Sequence, residues 1–231
     1  MTYKNLEEYL VESSYFDNGG LWSAGGGSSG QLGNNGTSSA STPVQTISVG
    51  TNWKQVSCGY NYTAAIKTTG ELWLWGSNDS CQLGRQLGLA VPGSSPMQTT
   101  VGGTNWKQVS CGAMHTAAVK TDGTLWTWGS NTYMQLGRSA STSGTTFSTP
   151  MQTTVGGTNW RQVDCGETHT VAIKTNGELW TWGFNTSGQL CDGTTVHKSN
   201  PVQTSVGGTN WKKVAAGGVT VAINESWGLV T

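Results

Sequence analysis

The residues of this chain with the potential for chemistry recur at fixed spacing, and the cysteines show this first. The motif Val-x-Cys-Gly occurs at Cys58, Cys111 and Cys165, and a fourth occurrence has Ala216 in the cysteine position. Because alanine takes that place, the position requires a small side chain, and we predict buried structural thiols rather than metal ligands or redox centres. The chain has no Cys-x-x-Cys pair, which is a common spacing in zinc sites.

Two histidines also recur, at His115 and His169, in a segment whose earlier copy has Tyr62 in the same position. A zinc site would need a third strong ligand, and no Asp or Glu recurs beside these histidines. We therefore predict that both rings make structural hydrogen bonds.

Three further candidates occur once each. Cys81 and Cys191 replace glycines of a recurring Gly-Gln-Leu-Gly turn, and we predict exposed thiols without a function at both positions. His197 lies in a variable segment and is interpreted either as a contact residue or as a solvated loop histidine.

The sequence predicts no catalytic centre. The turn position shared by Thr69, Asp122 and Asn176 has no constant carboxylate for general acid–base work. The glycines Gly25–Gly27 lack the lysine and following helix of a phosphate loop. We predict a protein that is not an enzyme and that has no cofactor and no metal.

Composition narrows the class of protein. Charged residues make up 10% of the 231 residues, against about 25% in an ordinary soluble domain, and 12 basic and 12 acidic residues give zero net charge. The chain has no basic cluster, which argues against nucleic-acid binding, and it has no apolar run of about 18 residues to cross a membrane. No signal peptide is predicted, because no basic N-terminus is followed by an apolar stretch. Five cysteines are an odd number, and without a secretion signal they do not predict a framework of disulfides.

The elements that position these residues belong to an internal repeat. Residues 100–137 align without gaps to residues 154–191, and 26 of the 38 positions are identical. One tryptophan recurs at steps of 53, 54 and 51 residues, at Trp53, Trp106, Trp160 and Trp211. A second recurs at steps of 51, 53 and 54 residues, at Trp22, Trp73, Trp126 and Trp180. Four copies of about 53 residues fill residues 19–231.

Each copy predicts four short strands. The first alternates between two faces, the second contains small and β-branched residues, and a glycine turn leads to the third. The third carries two tryptophans on one face, and the fourth begins near a proline. We predict an all-β protein, a β-propeller of about four four-stranded blades. The predicted blade core is Trp73, Trp75, Trp126, Trp128, Trp180 and Trp182.

The repeat resembles that of the regulator of chromosome condensation family. The motif Gly-x-Leu-Trp-x-Trp-Gly-x-Asn-x-x-x-Gln-Leu-Gly, followed by Trp-x-x-Val-x-x-Gly-x-x-His-Thr-x-Ala-x-Lys, carries the resemblance over residues 19–224. The resemblance implies a β-propeller; the best-known member has seven blades and is a guanine-nucleotide exchange factor. This chain has four copies and no basic N-terminal tail, and its nearly identical copies look like those of bacterial and phage repeat proteins.

The two ends of the repeat region predict how the propeller closes. Residues 20–25 resemble a third strand without its first and second strands, and residues 211–224 resemble a first and second strand. We predict that these segments pair, either within one chain to form a four-bladed ring or between neighbouring chains. The ending Ser-Trp-Gly-Leu-Val-Thr is an alternative third strand, which would leave residues 20–25 unpaired.

Residues 1–18 predict a short helix. Asn5 and Glu8 have capping-box spacing, and Asn18 and Gly19 form a stop signal. One side of this helix carries Leu6, Tyr9, Leu10 and Phe16. This stripe is interpreted either as a plug over one end of the propeller or as a segment that docks on a partner.

The variable parts of the repeat are the loops at residues 34–42, 85–95, 138–149 and 192–200. Variable loops on a rigid scaffold are typical of binding proteins. We favour a structural or adhesive module of a phage particle, located in the virion or the host cytoplasm. The predicted partners are proteins, including other virion proteins and a second copy joined by strand exchange, and not nucleic acid or membrane. The alternatives are a cytoplasmic interaction or exchange-factor-like regulator, and a lectin-like propeller.

Overall fold

The computed structural model describes residues 20–47, 50–85, 93–138 and 145–225, which form sixteen β-strands, and every paired strand is antiparallel. None of these residues lies in a helix, and so none forms a helix long and apolar enough to cross a membrane. The predicted N-terminal helix, with Leu6, Tyr9, Leu10 and Phe16, lies outside the described residues.

Twelve of the sixteen strands form three complete four-stranded blades, each built in chain order. Blade 1 contains β3 (Trp53–Cys58), β4 (Tyr62–Lys67), β5 (Leu72–Gly76) and β6 (Gly93–Gln98). Blade 2 contains β7 (Trp106–Cys111), β8 (His115–Lys120), β9 (Leu125–Ser130) and β10 (Thr146–Gln152). Blade 3 contains β11 (Trp160–Cys165), β12 (His169–Lys174), β13 (Leu179–Gly183) and β14 (Lys198–Gln203).

Two half-blades flank these three blades. The N-terminal half-blade pairs β1 (Trp22–Gly25) with β2 (Ala40–Gln45), which are a third and a fourth strand. The C-terminal half-blade pairs β15 (Trp211–Ala216) with β16 (Thr220–Asn224), which are a first and a second strand. The two halves belong to separate sheets in the described residues, so the prediction of a four-bladed ring closed within one chain is wrong there. The reason is that the halves lie at opposite ends of the row of blades.

Glycine fixes the hairpin between the second and third strands of each complete blade. Gly70, Gly123 and Gly177 have φ angles of +84°, +80° and +83°, which other residues rarely adopt. A Cβ atom at Gly70 would overlap the carbonyl oxygen of Thr104, in the segment that leads to the next blade. The predicted Thr-Gly, Asp-Gly and Asn-Gly turns therefore also serve the packing of neighbouring blades.

Three apolar cores fill the spaces between consecutive sheets. The first joins blades 1 and 2 through residues such as Leu74, Leu83, Trp106 and Trp128. The second joins blades 2 and 3, and the third joins blade 3 to β15. Because each core needs residues from two sheets, a blade is stabilised by its neighbours, as in other repeat proteins.

A glutamine on the first strand also connects each complete blade to the next. Gln55 Nε2 donates to Val109 O, and Val109 N donates to Gln55 Oε1, both at 3.0 Å. Gln108 forms the same pair of bonds with Val163, at 3.1 and 3.0 Å. Gln162 Nε2 donates to Val214 O at 3.1 Å. The glutamine side chain therefore links adjacent first strands through hydrogen bonds to the backbone of the following strand.

Candidate binding face

The complete blades present two kinds of connection on the same side. In blade 2, the turn between the first and second strands lies beside the Gln-Leu turn after the third strand, because Ser130 N donates to Met114 O at 2.8 Å. Blades 1 and 3 contain the equivalent bond. We call this side the loop face: it comprises residues 59–61, 77–85, 112–114, 130–138, 166–168 and 184–197. The hairpin turns at residues 68–71, 121–124 and 175–178 lie at the other ends of the strands.

The recurring residues of the loop face build the scaffold. Gln135 Oε1 accepts a hydrogen bond from Tyr133 N at 2.8 Å, and Asn131 Oδ1 accepts one from Leu136 N at 3.0 Å. The carbonyl oxygen of Gln135 accepts the indole N–H of Trp182, in the next blade, at 2.9 Å. The same roles are filled in other copies by Gln31, Asn78, Gln82, Asn185 and Gln189. The repeated polar residues are therefore structural.

Three aromatic rings that occur in single copies lie together on the loop face. The centroids of Tyr133 and Phe184 are 5.0 Å apart, those of Phe184 and His197 are 4.8 Å apart, and those of Tyr133 and His197 are 6.2 Å apart. We call these residues the aromatic cluster. The other copies have serine in the position of Tyr133, and serine or glycine in the position of Phe184. The cluster therefore distinguishes the junction of blades 2 and 3 from the other junctions.

A polar network in blade 3 holds His197 in the cluster. His197 Nδ1 accepts a hydrogen bond from Asn185 N at 3.0 Å, so the neutral ring carries its proton on Nε2. The buried Asn185 side chain donates to Asp192 Oδ1 at 3.1 Å and to the carbonyl oxygen of Val196 at 3.1 Å. Lys198 Nζ lies 3.2 Å from Asp192 Oδ2. These contacts fix residues 192–198 as an ordered support for the ring.

The aromatic cluster is open to solvent and continues into further apolar surface. Tyr133 is 40% exposed, and Val196, next to His197, is 64% exposed. Phe184 and His197 are half-buried. Aromatic side chains that combine an anchored edge with an exposed face are typical of the centres of protein interfaces.

The ends of the first strands and the turns that follow them line a cavity of about 430 Å³, which we call the axial cavity. Its lining includes Cys58, Cys111, Cys165, Tyr60, Met114 and Glu167. Burial raises the pKa of the Cys111 thiol to about 12, and burial also raises the pKa of the Cys165 thiol well above its ordinary value. Neutral thiols of this kind are poor nucleophiles, and the described residues contain no group of three or more His, Cys, Asp and Glu side chains suited to a metal ion.

The cysteine predictions need two corrections. Cys111 and Cys165 are buried as predicted, but Cys58 is exposed because the half-blade before it supplies no first strand to cover it. Cys191 is exposed as predicted, but Cys81 is buried. The Cys81 sulfur lies 3.8 Å from Thr146 Oγ1 of blade 2, so the turn is covered by the neighbouring blade.

The recurring histidines make the predicted structural hydrogen bonds. His115 Nε2 lies 2.9 Å from Thr170 Oγ1, and His169 Nε2 lies 2.9 Å from Thr220 Oγ1, each in the following sheet. Burial, and secondarily the charge of His169, lowers the pKa of His115 to about 3. Burial also lowers the pKa of His169 to about 4. Both rings are therefore neutral links between sheets at pH 7.

The two tryptophans of each third strand have different environments. Trp75, Trp128 and Trp182 have no exposed surface. Trp73, Trp126 and Trp180 are half-buried at the side of their blades. Lysine ammonium groups lie over these three rings, with Lys67, Lys120 and Lys174 at 4.8, 4.4 and 4.1 Å from the centroids. The more C-terminal tryptophan of each pair therefore fills the core, and the other covers its margin.

Comparison with known proteins agrees with this architecture. The regulator of chromosome condensation (RCC1) repeat matches residues 18–66, 69–119, 122–173 and 176–223. The chain belongs to the RCC1 repeat family. Each matched RCC1 repeat begins near a third strand and ends near the second strand of the next sheet, so the four repeats correspond to three complete blades and two halves.

The relatives are eukaryotic proteins that are longer than this chain. The ultraviolet-B receptor UVR8 of Arabidopsis thaliana is 35% identical over 175 residues, which are 75% of this chain and 39% of the receptor. The probable E3 ubiquitin-protein ligase HERC6 of Homo sapiens is 31% identical over 188 residues, 79% of this chain and 18% of the ligase. The chain thus spans well under half the length of these relatives, and they give no support to a specifically phage-like member of the RCC1 repeat family.

The solved structures support the fold. The structure of human WBSCR16 matches with a TM-score of 0.78 and 24% identity, and it covers 91% of this chain and 54% of that chain. Yeast RCC1 (Prp20), solved bound to Kap60, matches with a TM-score of 0.72 and 20% identity over 84% of this chain and 46% of that chain. Both likenesses indicate that the described arc is part of an RCC1-type propeller.

The aromatic cluster was not found by sequence reasoning, although a usable signal was present. Tyr133 and Phe184 stand where the other copies have serine or glycine, and they lie 51 positions apart in the sequence. Of these three residues, the sequence analysis interprets only His197 as a candidate contact residue. Aligning the copies and marking bulky single-copy residues beside the Gln-Leu turn would have selected the first two rings. Their contact depends on how blade 2 packs on blade 3, which the sequence pattern does not give.

Proposed function

We propose that this chain is a protein-interaction module that binds a partner through the aromatic cluster and carries out no catalysis itself. The observation that supports the proposal is the contact of Tyr133, Phe184 and His197 at one junction of otherwise similar blades. The scaffold is uniform where sequence is repeated, so a site that distinguishes one surface must use residues that are not repeated.

The chemistry of the aromatic cluster suits an extended peptide segment. Tyr133, Phe184 and the neighbouring Val196 offer apolar surface to a bulky side chain of a partner. His197 Nε2 carries a proton that can donate to a backbone carbonyl, because Nδ1 already accepts from Asn185. We infer that the partner presents an aromatic or aliphatic side chain next to a free carbonyl group.

The relatives support the interaction alternative better than the phage-particle setting. Yeast RCC1 was solved bound to Kap60, and a second structure of Prp20 is described with its binding properties to Gsp1p and histones. These partners belong to the yeast protein, and we carry over only the class of activity, binding to protein. The phage-particle setting, the exchange-factor activity and the lectin-like alternative stay predictions.

The axial cavity supports binding over catalysis. Its wall contains thiols whose pKa is raised by burial, together with glycine, methionine and the single carboxylate of Glu167. A hydrolytic site would need a nucleophile beside a base, or paired carboxylates. The lining of this cavity offers neither pairing.

Replacing Tyr133 or Phe184 by serine is expected to weaken partner binding strongly without unfolding the chain. Blades 1 and 3 have serine in the position of Tyr133, and blades 1 and 2 have serine in the position of Phe184. Each change therefore introduces a residue that other blades of this chain already contain. A displayed library of random peptides is selected on the unmodified chain, and the dissociation constants of the enriched peptides are measured by calorimetry. We expect each serine variant to weaken binding by at least about tenfold, as for an interface hot spot.

Asp122→Asn provides the matched control. Asp122 also occurs in one copy only, blade 3 has Asn176 in its position, and the turn that contains Asp122 lies on the opposite face. This variant should bind the selected peptides with unchanged affinity. Enriched peptides that bind the serine variants as tightly as the original chain would overturn the proposal. A selection that enriches no peptide would also overturn it.

A further inference from the structure

Glu167 is a carboxylate on the loop face beside the aromatic cluster, and we propose that it selects a partner segment that carries a lysine or an arginine. The inference rests on the proposed function, because an apolar side chain of the same segment contacts the aromatic cluster. Glu167 is exposed and lies in the turn between β11 and β12 of blade 3. Blades 1 and 2 have Tyr60 and Ala113 in this position, so Glu167, like Tyr133 and Phe184, occurs in one complete blade only.

The backbone of Glu167 is held from both sides, which fixes where the carboxylate is presented. Ala113 N of blade 2 donates to Glu167 O at 3.2 Å, and Glu167 N donates to Gly217 O at 3.2 Å. The carboxylate itself makes no hydrogen bond or ion pair with another residue in the part of the chain that the structure describes. The turn therefore has a fixed position, and its charge is available to a partner.

Glu167 lies next to the aromatic cluster. Phe184 N donates to the carbonyl oxygen of Thr168, the residue that follows Glu167, at 3.0 Å. Consecutive Cα atoms are about 3.8 Å apart and those of hydrogen-bonded antiparallel pairs about 5.5 Å, which places the Cα atoms of Glu167 and Phe184 within about 9 Å. Glu167 also contacts Ala113, which precedes the 48% exposed Met114. Apolar side chains of two neighbouring blades therefore lie near this carboxylate.

The other acidic groups at this junction already have partners. Asp164 Oδ1 accepts a hydrogen bond from Ser110 Oγ at 2.7 Å, and its Oδ2 accepts one from a backbone N–H of the following sheet at 2.7 Å. Asp192 Oδ2 lies 3.2 Å from Lys198 Nζ. Among the described residues at the junction of blades 2 and 3, Glu167 is therefore the acidic side chain whose carboxylate lacks a partner.

The basic residues of the loop face do not oppose this charge. Arg85 and Arg138 are buried, and Lys198, at the border of the face, is held in its ion pair. The exposed charged side chains in the described part of the loop face are Asp79 and Glu167, and both are acidic. A surface with exposed negative charge attracts a cationic segment and disfavours an acidic one.

The arrangement specifies the order of residues in the partner. An apolar side chain contacts the aromatic cluster, and an ammonium or guanidinium group contacts Glu167. An extended segment advances about 3.3 Å per residue, so these two side chains are about two to four positions apart. The aliphatic stem of the basic side chain can cover Met114 while its charged end reaches the carboxylate. The site therefore favours a segment that is both basic and apolar over one that is only apolar.

The same peptide selection, carried out on the unmodified chain and on a Glu167→Lys chain, tests the inference. Peptides enriched on the unmodified chain should carry lysine or arginine about two to four positions from the apolar residue. Those enriched on Glu167→Lys should carry aspartate or glutamate there. Glu167→Lys should weaken the first set by about tenfold or more, because it places like charges together. Glu167→Gln should weaken it by about two- to fivefold, as for an exposed ion pair, and salt at about 0.5 M should remove this difference.

Asp79→Asn is the matched control, because it removes an exposed carboxylate from the same face but in blade 1. This variant should change the affinities by less than about twofold. In a double-mutant cycle, glutamine in place of the basic residue of the peptide should add little to the effect of Glu167→Gln, because both changes remove the same contact. Fully additive losses would overturn the inference.

The outcomes separate this inference from the proposed function. Enriched peptides that depend on Tyr133 but carry no basic residue, or that bind Glu167→Lys unchanged, would overturn the inference and leave the aromatic cluster as the binding site. Peptides that depend on Glu167 but not on Tyr133 would reject the proposed function, and with it the placement of the basic residue beside the cluster. A selection that enriches no peptide would reject both.

Discussion

Replacing Trp128 by alanine should lower the free energy of unfolding by about 3–5 kcal/mol, the usual loss for a large buried aromatic side chain. Trp128 has no exposed surface, and its ring centroid lies 6.1 Å from that of Trp106 in the core between blades 1 and 2. Its indole nitrogen donates to the carbonyl oxygen of Gln82 at 2.8 Å, so the variant also leaves that carbonyl without its donor. Denaturant titration followed by circular dichroism measures the change.

Trp126→Ala is the matched control for this prediction. Trp126 lies two residues away on the same strand, is half-buried, and interacts with Lys120 at the margin of the blade. Its replacement should cost clearly less than that of Trp128. Equal losses for the two variants, or a loss below about 1 kcal/mol for Trp128→Ala, would show that the inner tryptophan is not the main core residue.

The stability of the protein should fall as the pH is lowered from about 6.5 towards 3, because His115 and His169 resist protonation in the folded state. Their pKa values are about 3 and about 4 in the folded chain, below the ordinary value of 6.5. Above pH 6.5 both histidines are neutral in the folded and the unfolded chain, and their contribution does not change. Below that pH the unfolded chain binds protons that the folded chain does not, so unfolding becomes more favourable.

The size of this effect can be isolated with His115→Tyr, which copies the residue of blade 1. At pH 4 we expect His115 to account for a loss of about 3 kcal/mol, because each pKa unit corresponds to about 1.4 kcal/mol. The variant should therefore lose less stability between pH 7 and pH 4 than the original chain. An identical acid profile for the original chain and His115→Tyr would contradict the assignment.

The blades could be predicted because their residues obey local rules. The glycine turn at Gly70 and the two-residue spacing of Trp126 and Trp128 determine a hairpin and a shared face without knowledge of distant residues. The sequence did not show that Trp128 is more buried than Trp126, since that difference depends on the neighbouring blade. The exposure of Cys58 was missed for the same reason.

The separation of the two half-blades and the aromatic cluster could not be predicted from the sequence, because both depend on how neighbouring sheets are arranged. The strand types at residues 20–25 and 211–224 were identifiable, but whether they meet depends on the rotation from each blade to the next. Likewise, the contact between Phe184 and Tyr133 arises because the Gln-Leu turn of blade 2 lies against blade 3. Repeat patterns specify each unit well, and they specify less well how many units complete a circle.

Hydrogen–deuterium exchange with and without a selected peptide tests most directly the central claim that the binding site lies where the blades differ. Binding at the aromatic cluster predicts added protection at residues 131–136 and 183–198, and no change at residues 78–83 of blade 1, which are equivalent to residues 131–136. It also predicts unchanged exchange in the hairpin turns of the opposite face. Protection confined to those hairpins, or to residues 58–60 and 111–114 of the axial cavity, would contradict the claim.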